Sequence, residues 1–252
     1  MSRILIAVKC CHARQDYADA SRQTWIKDIH GLDYKIFYGH GHHELKSDEV
    51  QLDVPDGYQD LCSKIHEMIR WAYEQGYDYL FQVDDDTYVL PDRLLASDFK
   101  NHDFVGGESF GIDEHRRIFR YEGGVNASGP GFWLSRKAMQ IVLGYQRPGH
   151  ESPDEPWLGW VLRTNGTRVK STPRLGCYGN LPLGGGSYEF KSGTTLPEET
   201  EIIAEWEFDP QGMAAIHEQW KSGTRRLPQA LPVNPNRAVD MFVAGCRIKN
   251  PA

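Results

Sequence analysis

Tyr77-Asp78-Tyr79-Leu80-Phe81-Gln82-Val83-Asp84-Asp85-Asp86 is the stretch on which the fold turns. From Tyr77 to Val83 it is aromatic, alternating and rich in strand formers, which predicts a central β-strand. That strand runs straight into three carboxylates. Like charges so placed repel one another and destabilise the strand end unless a cation or solvent compensates them. In extended geometry Asp84 and Asp86 point to one side and Asp85 to the other. Oxygen ligands of this kind suit Mn²⁺ or Mg²⁺, with water and substrate phosphates filling the remaining positions. An EF-hand is excluded, because neither its glycine nor its distal glutamate stands at loop spacing.

Upstream, Ile4 to Val8 reads as a buried strand and Tyr17 to Ile29 as a helix spaced on Tyr17, Ser21, Trp25 and Ile29. Asp33 to Tyr38 predicts a second strand and Gln51 to Val54 a short third one. Asp60 to Gln75 places Leu61, Ile65, Met68, Ile69 and Ala72 on one helical face and stops at Gly76, a C-cap residue. Downstream, Pro91 to Ala96 starts a helix with proline in its first turn, and Phe104-Val105 predicts another strand. Strands alternating with helices over residues 1–105 indicate an α/β fold with a mainly parallel sheet covered on both faces, which binds ligands at the C-terminal ends of its strands.

The second half is less regular. Phe132 to Leu134 reads as a strand, Ser135 to Tyr145 as a helix, Pro148 to Pro156 as a loop and Trp157 to Arg163 as a helix. Ile202 to Phe208 predicts a last strand and Pro210 to Trp220 a last helix. Leu181 to Thr195 is rich in Gly, Ser and Thr, and its Gly184-Gly185-Gly186 suggests a loop that substrate orders. The expected organisation is one catalytic domain over residues 1–225, in two halves (1–105 and 106–225), followed by a Pro-rich tail, 226–252.

The chain has 252 residues, of which 40% are hydrophobic, enough for a substantial core. Its 28 Lys and Arg against 35 Asp and Glu give a net charge of −7. That balance disfavours nucleic acid as a partner, leaving only a local basic groove open. The apolar run after Met1-Ser2-Arg3 is far shorter than the roughly 20 residues that span a bilayer, and no other segment suits a membrane anchor. Five cysteines (Cys10, Cys11, Cys62, Cys177, Cys246) follow neither a disulfide framework nor a zinc-ribbon spacing and fit a reducing compartment. Asn126-Ala127-Ser128 and Asn165-Gly166-Thr167 match the glycosylation sequon by chance on this reading.

Five segments, in order, resemble glycosyltransferase family 31 and its fringe-like relatives of the GT-A type. Arg22-Gln23-Thr24-Trp25 resembles the family's R-x-T-W, and Asp56-Gly57-Tyr58-Gln59-Asp60-Leu61-Cys62-Ser63-Lys64 its D-x-Y-x-N-L-x-x-K. Val83 to Val89 resembles D-D-D-x-[FY]-V, Gly129-Pro130-Gly131-Phe132-Trp133-Leu134-Ser135 resembles G-x-G-Y-x-L-S, and Asp154-Glu155-Pro156-Trp157-Leu158-Gly159 resembles E-D-V-x-x-G. The resemblance implies a GT-A fold and an inverting transfer from a UDP-sugar donor to a hydroxyl of a glycan or other acceptor; the five unevenly spaced cysteines depart from the disulfides of secreted members and agree with a bacterial or viral cytoplasmic relative. It implies Mn²⁺ or Mg²⁺ on Asp84 and Asp86. Lys9, Arg22, Asp56, Tyr58, Lys64, Asp84 and Asp85 are expected at the donor, and Gly129, Gly131 and Trp133 at the acceptor or sugar.

By position in the motif Glu155 aligns with the family's catalytic Asp, and the extra methylene keeps neighbouring Asp154 an alternative base. The family's metal-binding histidine is replaced by Trp206, four residues before Pro210, so Glu205 or Glu207 is expected to complete the site, or water. Each residue also has a plainer reading. Arg22 and Lys9 read equally as surface charges, Trp25 and Trp133 as core aromatics, and Asp56 as a helix cap. Gly129 and Gly131 read as turn residues, and His40, His42 and His43 as a solvated turn. Competing functions are a non-catalytic sugar-binding module of the same fold, a metal-dependent phosphoryl-transfer or nuclease domain, and a transferase acting on modified DNA bases.

Overall fold

The computed structural model describes residues 2–107, 110–112, 117–120, 127, 130–150, 154–172, 174–176, 189–190, 203–205 and 208–225. Strands β1 (Ile4–Lys9), β2 (Asp33–Tyr38), β3 (Glu49–Gln51) and β4 (Tyr79–Asp84) lie parallel in the order β4-β1-β2-β3. After β5 (Tyr88–Val89) come β6 (Phe104–Gly107), β7 (Phe110–Ile112), β8 (Arg117–Arg120) and β9 (Phe132–Ser135). Strand β9 inserts antiparallel between β4 and β6, and β10 (Lys170–Thr172) pairs parallel with β6, giving a seven-stranded sheet β10-β6-β9-β4-β1-β2-β3. Two small sheets accompany it: β11 (Leu175–Gly176), β13 (Ala204–Glu205) and β5 form one, and β12 (Glu189–Phe190), β8 and β7 the other. The mixed, mainly parallel sheet with helices on both faces is the architecture expected from the sequence.

Strand β1 is apolar at nearly every position because both its faces are buried. Ile4, Ile6 and Val8 face one core, and Leu5 and Ala7 the other. The first core is closed by Ala18 and Ala20 of α1 (Gln15–Gln23) and by Met213 and Ile216 of α6 (Pro210–Lys221). The second is closed by α2 (Leu61–Glu74), α4 (Arg136–Leu143) and α5 (Asp154–Thr164), through Ile65, Met68, Ile69, Ala138, Met139, Leu158 and Val161. The short α3 (Pro91–Ala96) opens with its proline in the first turn, as expected.

Helix ends follow local chemistry. Gly76 ends α2 with a φ of +81°, the left-handed region that a glycine enters without strain. Ser135 Oγ accepts from Ala138 N–H at 3.2 Å to start α4, and Asp209 Oδ1 accepts from Gly212 N–H at 2.6 Å to start α6.

Three boundaries differ from the sequence reading. The helix expected over 17–29 stops at Gln23, because Thr24 leaves helical geometry (φ −109°, ψ −102°) while its hydroxyl bonds Ala20 carbonyl at 2.7 Å. A separate 3₁₀ turn then spans Ile26–Asp28. The third strand is Glu49–Gln51 rather than 51–54, since its register is set by pairing with Ile36–Tyr38. Helix α5 opens at Asp154, so both candidate base residues sit in its first turn and not in the preceding loop. Most of 181–195 and all of the tail 226–252 lie outside the described residues. No helix among the described residues is long and apolar enough to cross a membrane.

Candidate functional site

The parallel strands β1, β2, β3 and β4 end on one edge, and the acidic turn sits there. The register pairs Lys9 with Asp84 across β1 and β4, and Lys9 Nζ meets Asp84 Oδ1 at 3.1 Å. Gln82 Nε2 donates to the same oxygen at 3.0 Å. Strand geometry ends at Asp84, and Thr87 N–H closes a turn onto Asp84 carbonyl at 3.2 Å. The alternation expected for Asp84 and Asp86 therefore stops one residue short. Asp85 and Asp86 are instead joined by one guanidinium: Arg14 Nη1 lies 3.1 Å from Asp85 Oδ1 and Nη2 lies 3.2 Å from Asp86 Oδ2. The Arg14 guanidinium also stacks on the Tyr17 ring, 3.8 Å from its centroid.

Burial raises the Asp85 carboxyl to about 7, with Asp86 and Asp84 adding to the shift and Arg14 opposing it. The neighbouring Cys10 thiol is pushed well above its usual range, chiefly by burial and then by the Asp85 charge. Asp85 Oδ2 and Asp86 Oδ1 are buried without a hydrogen-bond partner. Two orphaned carboxylate oxygens in one turn fit a hard divalent cation, which takes oxygen ligands and completes its shell with water and phosphate. No group of three or more His, Cys, Asp or Glu among the described residues converges to hold a metal by itself.

Several residues expected at the site have other work. The Lys64 side chain is 0% exposed, its ammonium donating to Asp56 Oδ1 at 2.6 Å and Cys10 carbonyl at 2.9 Å, so it cannot reach a donor. Asp56 caps no helix. Its carboxylate also accepts from His12 N–H at 2.5 Å and Gly39 N–H at 2.7 Å, tying the ends of β1 and β2 to α2. Arg22 is held by Asp48 Oδ2 at 2.7 Å, Glu49 at 2.5 Å and Asp19 at 2.7 Å, a clamp between α1 and the start of β3 that leaves little for a donor. Burial raises the Glu49 carboxyl, yet the Lys46 amide, His43 and Arg22 outweigh it and hold it below its ordinary value.

Glu205 is 0% exposed; Oε1 accepts from Trp220 Nε1 at 2.9 Å, and Arg225 pairs with its carboxylate. That saturated carboxylate is not a free metal ligand, although Phe208 N–H donates to Asp86 carbonyl at 2.9 Å and so brings the chain after β13 past the turn. Glu207 and Trp206 lie outside the described residues, as does Gly129.

Trp133 is buried in the core, stacked on Phe99 at 3.8 Å between centroids, and offers no sugar platform. Gly131 adopts φ +123°, and a Cβ there would stand 2.6 Å from the Phe81 ring and 2.8 Å from Gln82 carbonyl. Its need for glycine is packing against β4, not approach to a ligand. Tyr58, by contrast, is 78% exposed beside Asp56 at this edge. Glu155 is partly buried in the first turn of α5, and nothing is described of the Asp154 side chain. The histidines do not cluster as a metal site: His40 pairs with Asp53 at 2.9 Å, while His43 bridges His12 at 2.5 Å and Glu49 at 3.0 Å. Sequence reasoning passed over Arg14; the available signal was a basic residue in the polar loop directly after β1, at the ligand-binding edge of a parallel sheet.

Residues 40–110 match the family model described as Galactosyltransferase. The match contains two of the five motif-like segments, those at Asp56–Lys64 and Val83–Val89, and so covers the acidic turn itself. No curated protein matches the chain. Among solved structures, the catalytic domain of Drosophila β1,4-galactosyltransferase 7 in complex with xylobiose is similar at 13% identity and a TM-score of 0.44, covering 68% of this chain and 65% of that one, just under two thirds of its length. A glycosyltransferase involved in glycosylation of the major capsid of PBCV-1 is similar at 12% identity and a TM-score of 0.48, covering 86% of this chain and 99% of that one. A197 from STIV is similar at 14% identity and a TM-score of 0.39, covering 66% and 80%.

Proposed function

We propose that this chain is a glycosyltransferase that moves a sugar from a UDP-sugar to an acceptor hydroxyl with inversion, using a divalent metal, Mn²⁺ or Mg²⁺, at the acidic turn. The observation that carries the reading is the turn Asp84-Asp85-Asp86 at the C-terminal edge of β4, inside the segment that matches the Galactosyltransferase model and with two buried carboxylate oxygens unpartnered. Asp86, through its unpartnered Oδ1, would hold the metal together with Asp84, whose Oδ1 is already engaged by Lys9 and Gln82; the metal would supply charge neutralisation at the leaving diphosphate. Tyr58 offers an exposed ring at the same edge for the nucleobase. Lys9 holds Asp84 in place from the adjacent strand. On the acceptor side a carboxylate at the start of α5, Glu155 or its neighbour Asp154, takes the proton of the attacking hydroxyl.

Thermal shift with UDP-, GDP- and TDP-sugars, each with and without Mn²⁺, tests the reading. A ligand at 100 times its Kd stabilises by about 2.7 kcal/mol, so a UDP-sugar shift that requires Mn²⁺ is expected. Slow release of UDP without acceptor separates a transferase from a sugar-binding module. Absence of any nucleotide-sugar shift at saturating concentration would overturn the assignment.

A further inference from the structure

Among the described residues two cations serve the acidic turn, and they differ in freedom. The Lys9 side chain is 6% exposed at the end of β1, fixed by its strand. The Arg14 side chain is 36% exposed in the loop that follows, resting on the Tyr17 ring and forking onto Asp85 and Asp86. Arg14 thus occupies, with its delocalised charge, one oxygen of the carboxylate whose other oxygen, Asp86 Oδ1, is buried and unpartnered. A divalent cation bound at Asp86 would stand within a few ångströms of this guanidinium, and two positive charges at that range repel.

Resting on the function proposed above, we propose that Arg14 is the resident counter-ion of the acidic turn and changes partner during binding: metal entry displaces its fork from Asp86, and the freed guanidinium pairs with the diphosphate of the donor. The exchange needs only side-chain rotation, since the Tyr17 ring supports the guanidinium face and the stem is partly exposed. A planar fork matches phosphate oxygens as well as it matches carboxylates, which an ammonium does not. The chemistry has a signature that a purely structural ion pair lacks, because Arg14 opposes metal alone but assists metal together with diphosphate. Reciprocity of coupled binding then requires that diphosphate tighten metal binding in the wild type more than in a variant without the guanidinium.

Calorimetric titration of wild type, Arg14→Ala and Arg14→Lys with Mn²⁺ alone, with UDP in saturating Mn²⁺, and with uridine reads this directly. Arg14→Ala is expected to bind Mn²⁺ alone several-fold more tightly and UDP with Mn²⁺ about 10- to 100-fold more weakly, the range of one or two charge-assisted hydrogen bonds, with uridine unchanged. Arg14→Lys, which keeps the charge without the fork, is expected to fall between and carries the test should the alanine variant fold poorly. Changes of the same sign for Mn²⁺ alone and for UDP with Mn²⁺, or an unchanged UDP affinity, would overturn the exchange while leaving the transferase reading intact. A wild type that binds UDP no better with Mn²⁺ than without it overturns the metal reading and the exchange together.

Discussion

Lys64 Nζ and Asp56 Oδ1 meet at 2.6 Å in the interior, where the ammonium also holds Cys10 carbonyl at 2.9 Å, so that one buried cation fastens α2 to the end of β1. Removing one partner of a buried pair strands the other, at a cost of about 3–5 kcal/mol. Lys64→Met is therefore expected to lower stability by that order, read as the midpoint of urea unfolding. A midpoint within error of wild type would show that Asp56 is satisfied by the His12 and Gly39 amides alone.

Arg22 carries a related expectation with the opposite functional reading to its motif. Its guanidinium links Asp48, Glu49 and Asp19, so Arg22→Ala removes one partner from each of three carboxylates, of which Asp19 keeps Lys46 and Glu49 keeps His43 and the Lys46 amide. The melting temperature is expected to fall, with a loss on the order of 1–3 kcal/mol for a partly buried network, while UDP affinity measured below the transition stays within about twofold. Weaker UDP binding at unchanged stability would return Arg22 to the donor site.

These two residues also show what a linear reading reaches. The pattern Tyr77 to Val83 and the apolar run Ile4 to Val8 are local, and they predict β4 and β1 because strand formation and burial on both faces depend on composition within a few residues. Gly76 is legible for the same reason. Lys64 and Arg22 are not, because their partners Cys10, Asp48 and Glu49 stand dozens of residues away and are brought near only by strand order. The same limit hid Gly131, whose glycine requirement comes from Phe81 across the β4–β9 pairing. At the acidic turn the sequence identified the carboxylates but not their orientation, which changes where the strand ends at Asp84.

Asp85 links the site to pH. Its folded carboxyl titrates at about 7, raised mainly by burial, against roughly 3.9 in an unfolded chain. Between those values the unfolded chain releases the proton first, so stability of the metal-free protein declines as pH rises from about 4 to about 7 and levels above it. Asp85→Asn removes that term. Its unfolding free energy is expected to fall less steeply across this window than that of wild type, by a few kcal/mol in total. Equal slopes would mean that Asp85 is ionised throughout.

Asp86→Ala tests the metal assignment without touching the core. Its carboxylate contributes one unpartnered buried oxygen and one contact to Arg14, so removing it relieves repulsion from Asp84 and Asp85 and leaves Arg14 paired to Asp85. The expected outcome is a melting temperature near wild type and loss of the Mn²⁺-dependent part of UDP binding. Retention of that dependence would move the metal elsewhere.

The catalytic base is the sharpest test of the enzyme reading. Helix α5 begins at Asp154, which puts Glu155 in its first turn, and Leu158 and Val161 seat the helix in the core with Trp157 packed against the His66 ring. That seating fixes the backbone of both candidate carboxylates near the loop that reaches α2 through Ser63 and Pro148, at the edge where α2 begins. A positioned base contributes typically ~10²–10⁴-fold. Glu155→Gln keeps length and hydrogen-bonding capacity but accepts no proton, so sugar transfer is expected to fall by that factor with UDP and Mn²⁺ affinity nearly unchanged, because the base acts on the acceptor and not on the donor. Asp154→Asn is the paired variant. Loss of transfer in Asp154→Asn alone assigns the base to Asp154. Full turnover in both variants would remove the start of α5 from the reaction and, with it, the alignment of Asp154–Gly159 to the family's catalytic segment.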